Sequence, residues 1–245
     1  MQVYDMIVDE RRHAADLLST LTPDQLRTPS LCAGWTVHDV AAHLTTFLRF
    51  GQFKIYLGLV ATAADFDRVN EWLTRRAAGK SDAEIVELLR RRAGARTTVP
   101  RSGYDPVLAD VVLHDLDIRL PLGIGRDIPE DRLAVAFHHL TSRPSPGYAM
   151  GSRLDGLRFT ATDTGWDAGA GPSVRGPAEA LVLGIGGRAG VLDELSGDGV
   201  PVLRQRLATS QRAGALQRLA GPLGLLVRPQ PRTRRSRDAG APSLG

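Results

Sequence analysis

Apolar residues recur at a helical interval through most of the first half of the chain. Val3, Ile7, Ala14, Leu17 and Leu18 repeat close to 3.6 residues across a stretch without Gly or Pro, which predicts a helix over 2–20. Thr22-Pro23-Asp24 predicts a turn or a short helix start. Thr36-Val37-His38-Asp39 reads as a capping box, a Thr N-cap with an acid at N3, opening a helix expected to reach about Leu57. Two further helices are predicted near 62–78 and 81–93, the second with Ser81 as N-cap and Glu84 as its N3 partner. A Pro/Gly-containing loop then leads into a helix near 106–120, which Pro121-Leu122-Gly123 stops.

The second half reads differently. A helix near 130–141 gives way to the loop SRPSPGYAMGS, and Leu157–Thr162 then alternates apolar and polar as a strand does. Thr164-Gly165-Trp166 predicts a hairpin, and Ser173–Arg175 a further strand feeding a helix at about Pro177–Leu183, with Pro at its first position. Gly186-Gly187-Arg188 reads as the stop of that helix, and a helix or two follow to about Leu207. Helices first and a mixed segment afterwards predict the α+β class, an α-helical bundle with a small α+β domain appended. The expected divisions are 1–126 for the bundle, 127–209 for the small domain and 210–245 for a disordered tail.

The helix near 106–120 carries the candidate chemistry. Val107, Val111 and Ile118 fall on one side and Leu113, Leu116 and Leu120 roughly opposite, with Leu108 and Val112 filling much of the remaining arc. A helix apolar almost all round is a buried one. Yet Asp110, His114 and Asp117 form a polar stripe between the two faces, and buried charge is costly unless paired or bound to metal. Asp110 and His114, at i and i+4, point at one ion from a single helix turn. His43 is the candidate third ligand, one turn from Val40 and Phe47 on the apolar side of the Thr36 helix. Two imidazoles and a carboxylate would hold Zn²⁺ and leave a corner open, and the same set also describes the facial triad of non-haem iron. On spacing alone, a lone His beside an Ala-Leu run is more often a core histidine than a ligand, and D-x3-H is a common spacing.

Composition narrows the class. With 245 residues, 42% hydrophobic and 24% charged, the chain is neither disordered overall nor collagen-like, and one cysteine, Cys32, excludes an intrachain disulfide. No apolar run approaches the roughly 20 residues needed to span a bilayer; Leu57–Ala64, eight residues with one Thr, is typical. The first residues carry acids and no apolar core, so no secretory signal is expected and the cytoplasm is the expected compartment. Charge is uneven: Gln211–Gly245 holds seven arginines and one acid, a net +6, and +4 less +6 leaves the remainder at −2. Such a tail is a solvated segment or a tether to nucleic acid or anionic lipid.

LCAGWTVHDVAAHL (31–44) together with LADVVLHDLDIRLPLG (108–123) resembles the mycothiol-dependent maleylpyruvate isomerase family, a branch of the DinB/YfiT-like four-helix metalloenzymes. GLRFTATDTGWDAGAGPSVRGPAEALVLGIGGRAGVLDELSGDGV resembles the small α/β, sterol-carrier-like domain that follows the bundle in that family, so the resemblance covers roughly residues 5–207. It implies a metal held by His43, Asp110 and His114, with Asp110 one methylene shorter than the Glu frequent at that position. It also implies a divalent metal, Zn²⁺ first, and mycothiol as cosubstrate. The thiolate would add to an activated cis double bond, rotation and elimination giving the trans product, or would attack an electrophile and stay attached. The alternative is a non-catalytic module that the metal merely stabilises.

Other residues receive narrower readings. Asp117 either orients a ligand imidazole or pairs with Arg119 or another arginine. Arg119 and Arg175 are candidates to clamp an acidic substrate. Cys32 is assigned to packing, Trp35 to a hydrophobic staple, and His38, His138 and His139 receive no role. No GxGxxG pattern or Walker lysine supports nucleotide binding.

Overall fold

The computed structural model describes residues 2–49, 73–75, 77–96, 98, 103–125, 128–142 and 154–219. The helix predicted near 62–78 lies largely outside these residues. So do the stretch of the Thr36 helix predicted beyond Arg49, the loop after Ser142 and the basic tail beyond Leu219.

Helix α1 (Val3–Thr20) is followed by α2 (Pro23–Arg27), α3 (Val37–Leu44), α4 (Thr46–Arg49), α5 (Asp82–Arg92) and α6 (Asp105–Arg119). Both sequence-read capping boxes form: Thr36 with Asp39 opens α3, and Ser81 with Glu84 opens α5. The helix opened by Thr36 breaks at Thr45, whose hydroxyl donates to the Ala42 carbonyl at 2.7 Å, a back-bond that competes with the helical ladder. Further on, α6 runs into a 3-10 turn (Leu120–Leu122) ended by Gly123 at φ 64°, and α7 covers Glu130–Ser142.

Strands β1 (Arg158–Ala161), β2 (Asp167–Gly169) and β3 (Ser173–Gly176) form a sheet in the order β2-β1-β3. β1 pairs antiparallel with β2 and parallel with β3, placing Phe159 opposite Val174. Then come α8 (Ala178–Ile185), a 3-10 segment (Ala189–Glu194) and α9 (Val200–Leu219). Pro177 is the N-cap of α8 rather than its first helical residue, and the Asp163 carboxylate accepts the Ala178 N–H at 3.0 Å. α9 continues past the predicted end at Leu207 into residues assigned to the tail. That stretch is rich in Ala, Leu, Gln and Arg, which favour helix even where little apolar surface is available.

Helix α6 explains why the two halves hold together. Val111 and Ile118 pack with Ala14 and Leu18 of α1, Val37, Val40 and Leu44 of α3, and Ile85 and Leu89 of α5. Leu108, Val112, Leu113 and Leu116 pack instead with Leu133 and Phe137 of α7, Phe159 and Val174 of the sheet, and Leu181 and Val182 of α8. Val107, read with Val111 and Ile118, lies on this second side. The apolar core is therefore continuous across position 126. Among the described residues no helix is long and apolar enough to cross a membrane.

Candidate metal centre

The site grows from the two helix faces just described. The Thr36–Asp39 box fixes where α3 begins, and His43, two turns on, falls with Val40 on its buried side, 1% exposed. Asp110 and His114 lie one turn apart on α6. The His114 side chain is 10% exposed and that of Asp110 26%, so the cluster opens toward solvent at the carboxylate.

The three side chains converge. His43 Nε2 stands 3.6 Å from Asp110 Oδ1, and His114 Nε2 stands 3.5 Å from the same oxygen. The imidazole centroids are 4.5 Å apart, and one donor atom from each residue lies within 4.8 Å of the other two. These separations exceed the roughly 2.7–3.2 Å of a direct hydrogen bond. They are close to the edge of about 3.3 Å between ligands that share a tetrahedral ion at 2.0–2.1 Å. Nitrogen and carboxylate donors in this arrangement fit a borderline divalent cation. Away from the cluster, His43 Nδ1 pairs with the Thr74 hydroxyl at 3.1 Å, which fixes the ring with Nε2 inward.

Charge in the cluster is shared unequally. Burial works to raise the Asp110 carboxyl, but the two imidazoles override it and hold Asp110 well below the usual carboxylate range. Burial works to lower His114, and the Asp110 charge reverses this, leaving His114 well above the ordinary imidazole value. His43 is pushed down, first by burial and then by the charge on His114.

The other nitrogen of His114 meets a second group. Nδ1 is 2.8 Å from Asp117 Oδ2, and Asp117 is fully buried. Arg188 donates from Nε to Asp117 Oδ1 at 2.9 Å and from Nη2 to Oδ2 at 2.5 Å. The Cys32 thiol donates to Asp117 Oδ2 at 3.1 Å, with its sulfur 3.8 Å from His114 Nδ1. Burial would raise the Asp117 carboxyl, yet the Arg188 guanidinium holds it well below its usual range. Cys32, His114 and Asp117 also lie close enough to share a metal. Their spacings are those of hydrogen bonds, however, and a guanidinium already supplies the positive charge there. Asp117 thus pairs with the imidazole and with an arginine at once, and the arginine is Arg188.

Arg188 and the placement of Cys32 were not legible in the sequence. The loop carrying Cys32 is closed on itself by Ser30 N–H to the Trp35 carbonyl at 2.9 Å and meets α6 through Leu31 N–H to the Asp117 carbonyl at 3.4 Å. The same loop lays the Trp35 ring 5.4 Å from that of His43 and, stacked, 6.4 Å from that of His114. Trp35 therefore covers the site besides packing beside Val40. Arg119 donates from Nε to Asp115 at 2.5 Å, and Arg175 sits exposed on β3 with its backbone paired to Ser196. No bond described here joins either to the cluster. His38, given no role from the sequence, bonds Asp82 at 2.6 Å and the Ala78 carbonyl at 3.0 Å.

The sequence profile of the mycothiol maleylpyruvate isomerase N-terminal domain matches residues 7–115. Two solved structures, of the mycothiol-dependent maleylpyruvate isomerase and of a histidine-to-alanine mutant of it, each align at 16% identity with a TM-score of 0.49, covering 81% of this chain and 95% of theirs. No curated protein sequence matches. Residues 7–115, the segment similar to the mycothiol maleylpyruvate isomerase N-terminal domain, carry all three converging side chains.

Proposed function

We propose that this protein is a metal-dependent enzyme using mycothiol as cosubstrate, an isomerase or S-transferase acting on a small electrophile in the cytoplasm. His43, Asp110 and His114 hold one divalent cation, with Zn²⁺ the best match to the donor set. The observation that carries this reading is the convergence of three donor atoms from α3 and α6 within 4.8 Å, inside the segment the family profile matches. Two imidazoles and one carboxylate are three ligands, and a catalytic site keeps a further position open.

When bound, the cation supplies positive charge that favours the thiolate over the thiol, and the thiolate is the nucleophile. The chain's own residues arrange the rest. Thr74 and Asp117 hold the outer nitrogens of the two imidazoles, so that each Nε2 faces inward. Trp35 covers the two rings and keeps water from them. Asp110, the most exposed of the three, marks the side on which a small molecule arrives. No protein side chain serves as nucleophile. Arg119 and Arg175 enter this reading as the residues to meet an acidic substrate, for which replacement by Met should raise KM at unchanged kcat. The division at 126 and 209 belongs to the same reading.

The test is elemental analysis of the purified protein, followed by turnover with mycothiol and maleylpyruvate or a panel of electrophiles. One divalent ion per chain is expected, lost in His43→Ala and in His114→Ala. Full metal content in either variant removes the site as drawn. Metal retention with no turnover on any electrophile supports the non-catalytic module instead.

A further inference from the structure

Helix α8 approaches α6 closely and then turns back on it. Its end is a Schellman motif: the Gly187 N–H bonds the Gly184 carbonyl at 3.1 Å, and the Arg188 N–H bonds the Leu183 carbonyl at 3.0 Å. Gly187 takes φ 99°, a conformation L side chains rarely adopt. Gly186 presses so close to α6 that a Cβ there would stand 2.7 Å from Leu113 Cδ2. The reversal aims Arg188 one helical turn further along α6, at Asp117.

The contact so made is specific. Arg188 meets both carboxylate oxygens of Asp117 with a two-point fork, and its Nη1 donates to the Gly186 carbonyl, tying the guanidinium to its own turn. The Cys32 thiol adds a third donor to the same carboxylate. Surrounded by donors, Asp117 only accepts, so the hydrogen in its 2.8 Å contact with His114 sits on Nδ1. Nε2 of His114 is then the nitrogen that gives up its proton to offer a lone pair toward His43 and Asp110. Without the fork, the carboxylate keeps only Cys32 and His114 as described partners and is free to rotate away from the imidazole.

We propose that Arg188 is a positioning residue of the metal centre: acting through Asp117, it fixes the tautomer and orientation of His114, so that the C-terminal segment sets the cation affinity of a site built wholly by α3 and α6. This rests on the metal reading above but adds a residue from outside the matched 7–115 segment. Outer partners of ligating imidazoles typically govern metal affinity by about 10–100-fold.

The experiment compares wild type, Arg188→Met, Arg188→Lys, Asp117→Asn and the Arg188→Met/Asp117→Asn double variant. Zn²⁺ affinity is read by competition with a chromophoric chelator, site geometry by the visible spectrum of Co²⁺, and folding by circular dichroism. Arg158→Met, which removes an exposed arginine bonded to Asp167 in the same segment, is the control. Arg188→Met should weaken Zn²⁺ binding by about tenfold and alter the Co²⁺ bands, with Arg188→Lys intermediate and Arg158→Met unchanged. In the Asp117→Asn background, Arg188→Met should add nothing. Wild-type affinity in folded Arg188→Met, or its full effect persisting in that background, overturns the proposal. Should Arg188→Met not fold, Arg188→Lys against Asp117→Asn decides by the same criteria. A wild-type protein that binds no cation refutes the metal reading. Positioning is then judged by ¹⁵N NMR of metal-free protein at a pH above the raised His114 value: neutral His114 held as the Nδ1–H form only while Arg188 is present supports it, and no change in Arg188→Lys or Arg188→Met ends it.

Discussion

Gly186→Ala tests how tightly α8 packs against α6. An added Cβ would stand 2.7 Å from Leu113 Cδ2 and 3.2 Å from Leu113 Cδ1. Carbon pairs are comfortable at about 3.5–4.0 Å, so the nearer methyl must retreat by most of an ångström. Leu113 is fully buried between α6 and α8, and it cannot yield without moving its neighbours. Overpacking of this kind costs about 1–3 kcal/mol. For a chain of this size each kcal/mol is worth roughly 2–4 °C in Tm, so a fall of about 4–8 °C is expected for a cost near the middle of that range. The matched control is Gly125→Ala, where no atom lies within 4 Å of the added Cβ and φ is ordinary. There the stiffer unfolded chain should leave Tm unchanged or raise it slightly, by about 0.4–1 kcal/mol of stability. Thermal melting followed by circular dichroism reads both. If Gly186→Ala melts with wild type, or no lower than Gly125→Ala, the tight contact of α8 with Leu113 of α6 is refuted, and the reasoning about Arg188 loses its scaffold.

Three other outcomes follow from the same structure. His114 is raised above its ordinary value of 6.5 in the metal-free protein, Asp110 overriding burial, so its stabilising contribution is full below that value and is lost as pH rises through the raised one. Melting with a chelator present should therefore fall as pH climbs from 6.5, while the gain from added Zn²⁺ should grow over the same range, because the cation displaces the His114 proton; parallel profiles would contradict this. Arg132→Met leaves the Glu10 carboxylate, 3% exposed, without its 2.5 Å partner, and should cost about 3–5 kcal/mol in urea unfolding. Arg132→Met with Glu10→Leu should recover most of that loss, and a double variant as unstable as the single one would show the pair was not coupled. Thr74→Val should weaken cation binding by about tenfold, by freeing the His43 ring, and unchanged affinity would show that Thr74 does not orient it.

The local half of this protein was written in its sequence. The Thr36–Asp39 and Ser81–Glu84 caps are three residues apart, and the Asp110–His114 pair is one helical turn apart. Contacts of this range depend only on backbone periodicity, which hydrophobic spacing reveals directly. The buried character of α6 was legible for the same reason, apolar residues filling both flanks of a polar stripe. What surrounds that stripe was not. Arg188 reaches Asp117 across 71 residues, Cys32 across 85, and Thr74 reaches His43 across 31. Nothing in the spacing of one arginine among 29 marks it as the one that matters. Its place comes from a Schellman turn, a glycine thin enough to let two helices touch, and the packing of Leu113 against α8. A single chain segment carries the chemical identity of each side chain, but which of them become neighbours is decided when buried apolar faces choose their partners.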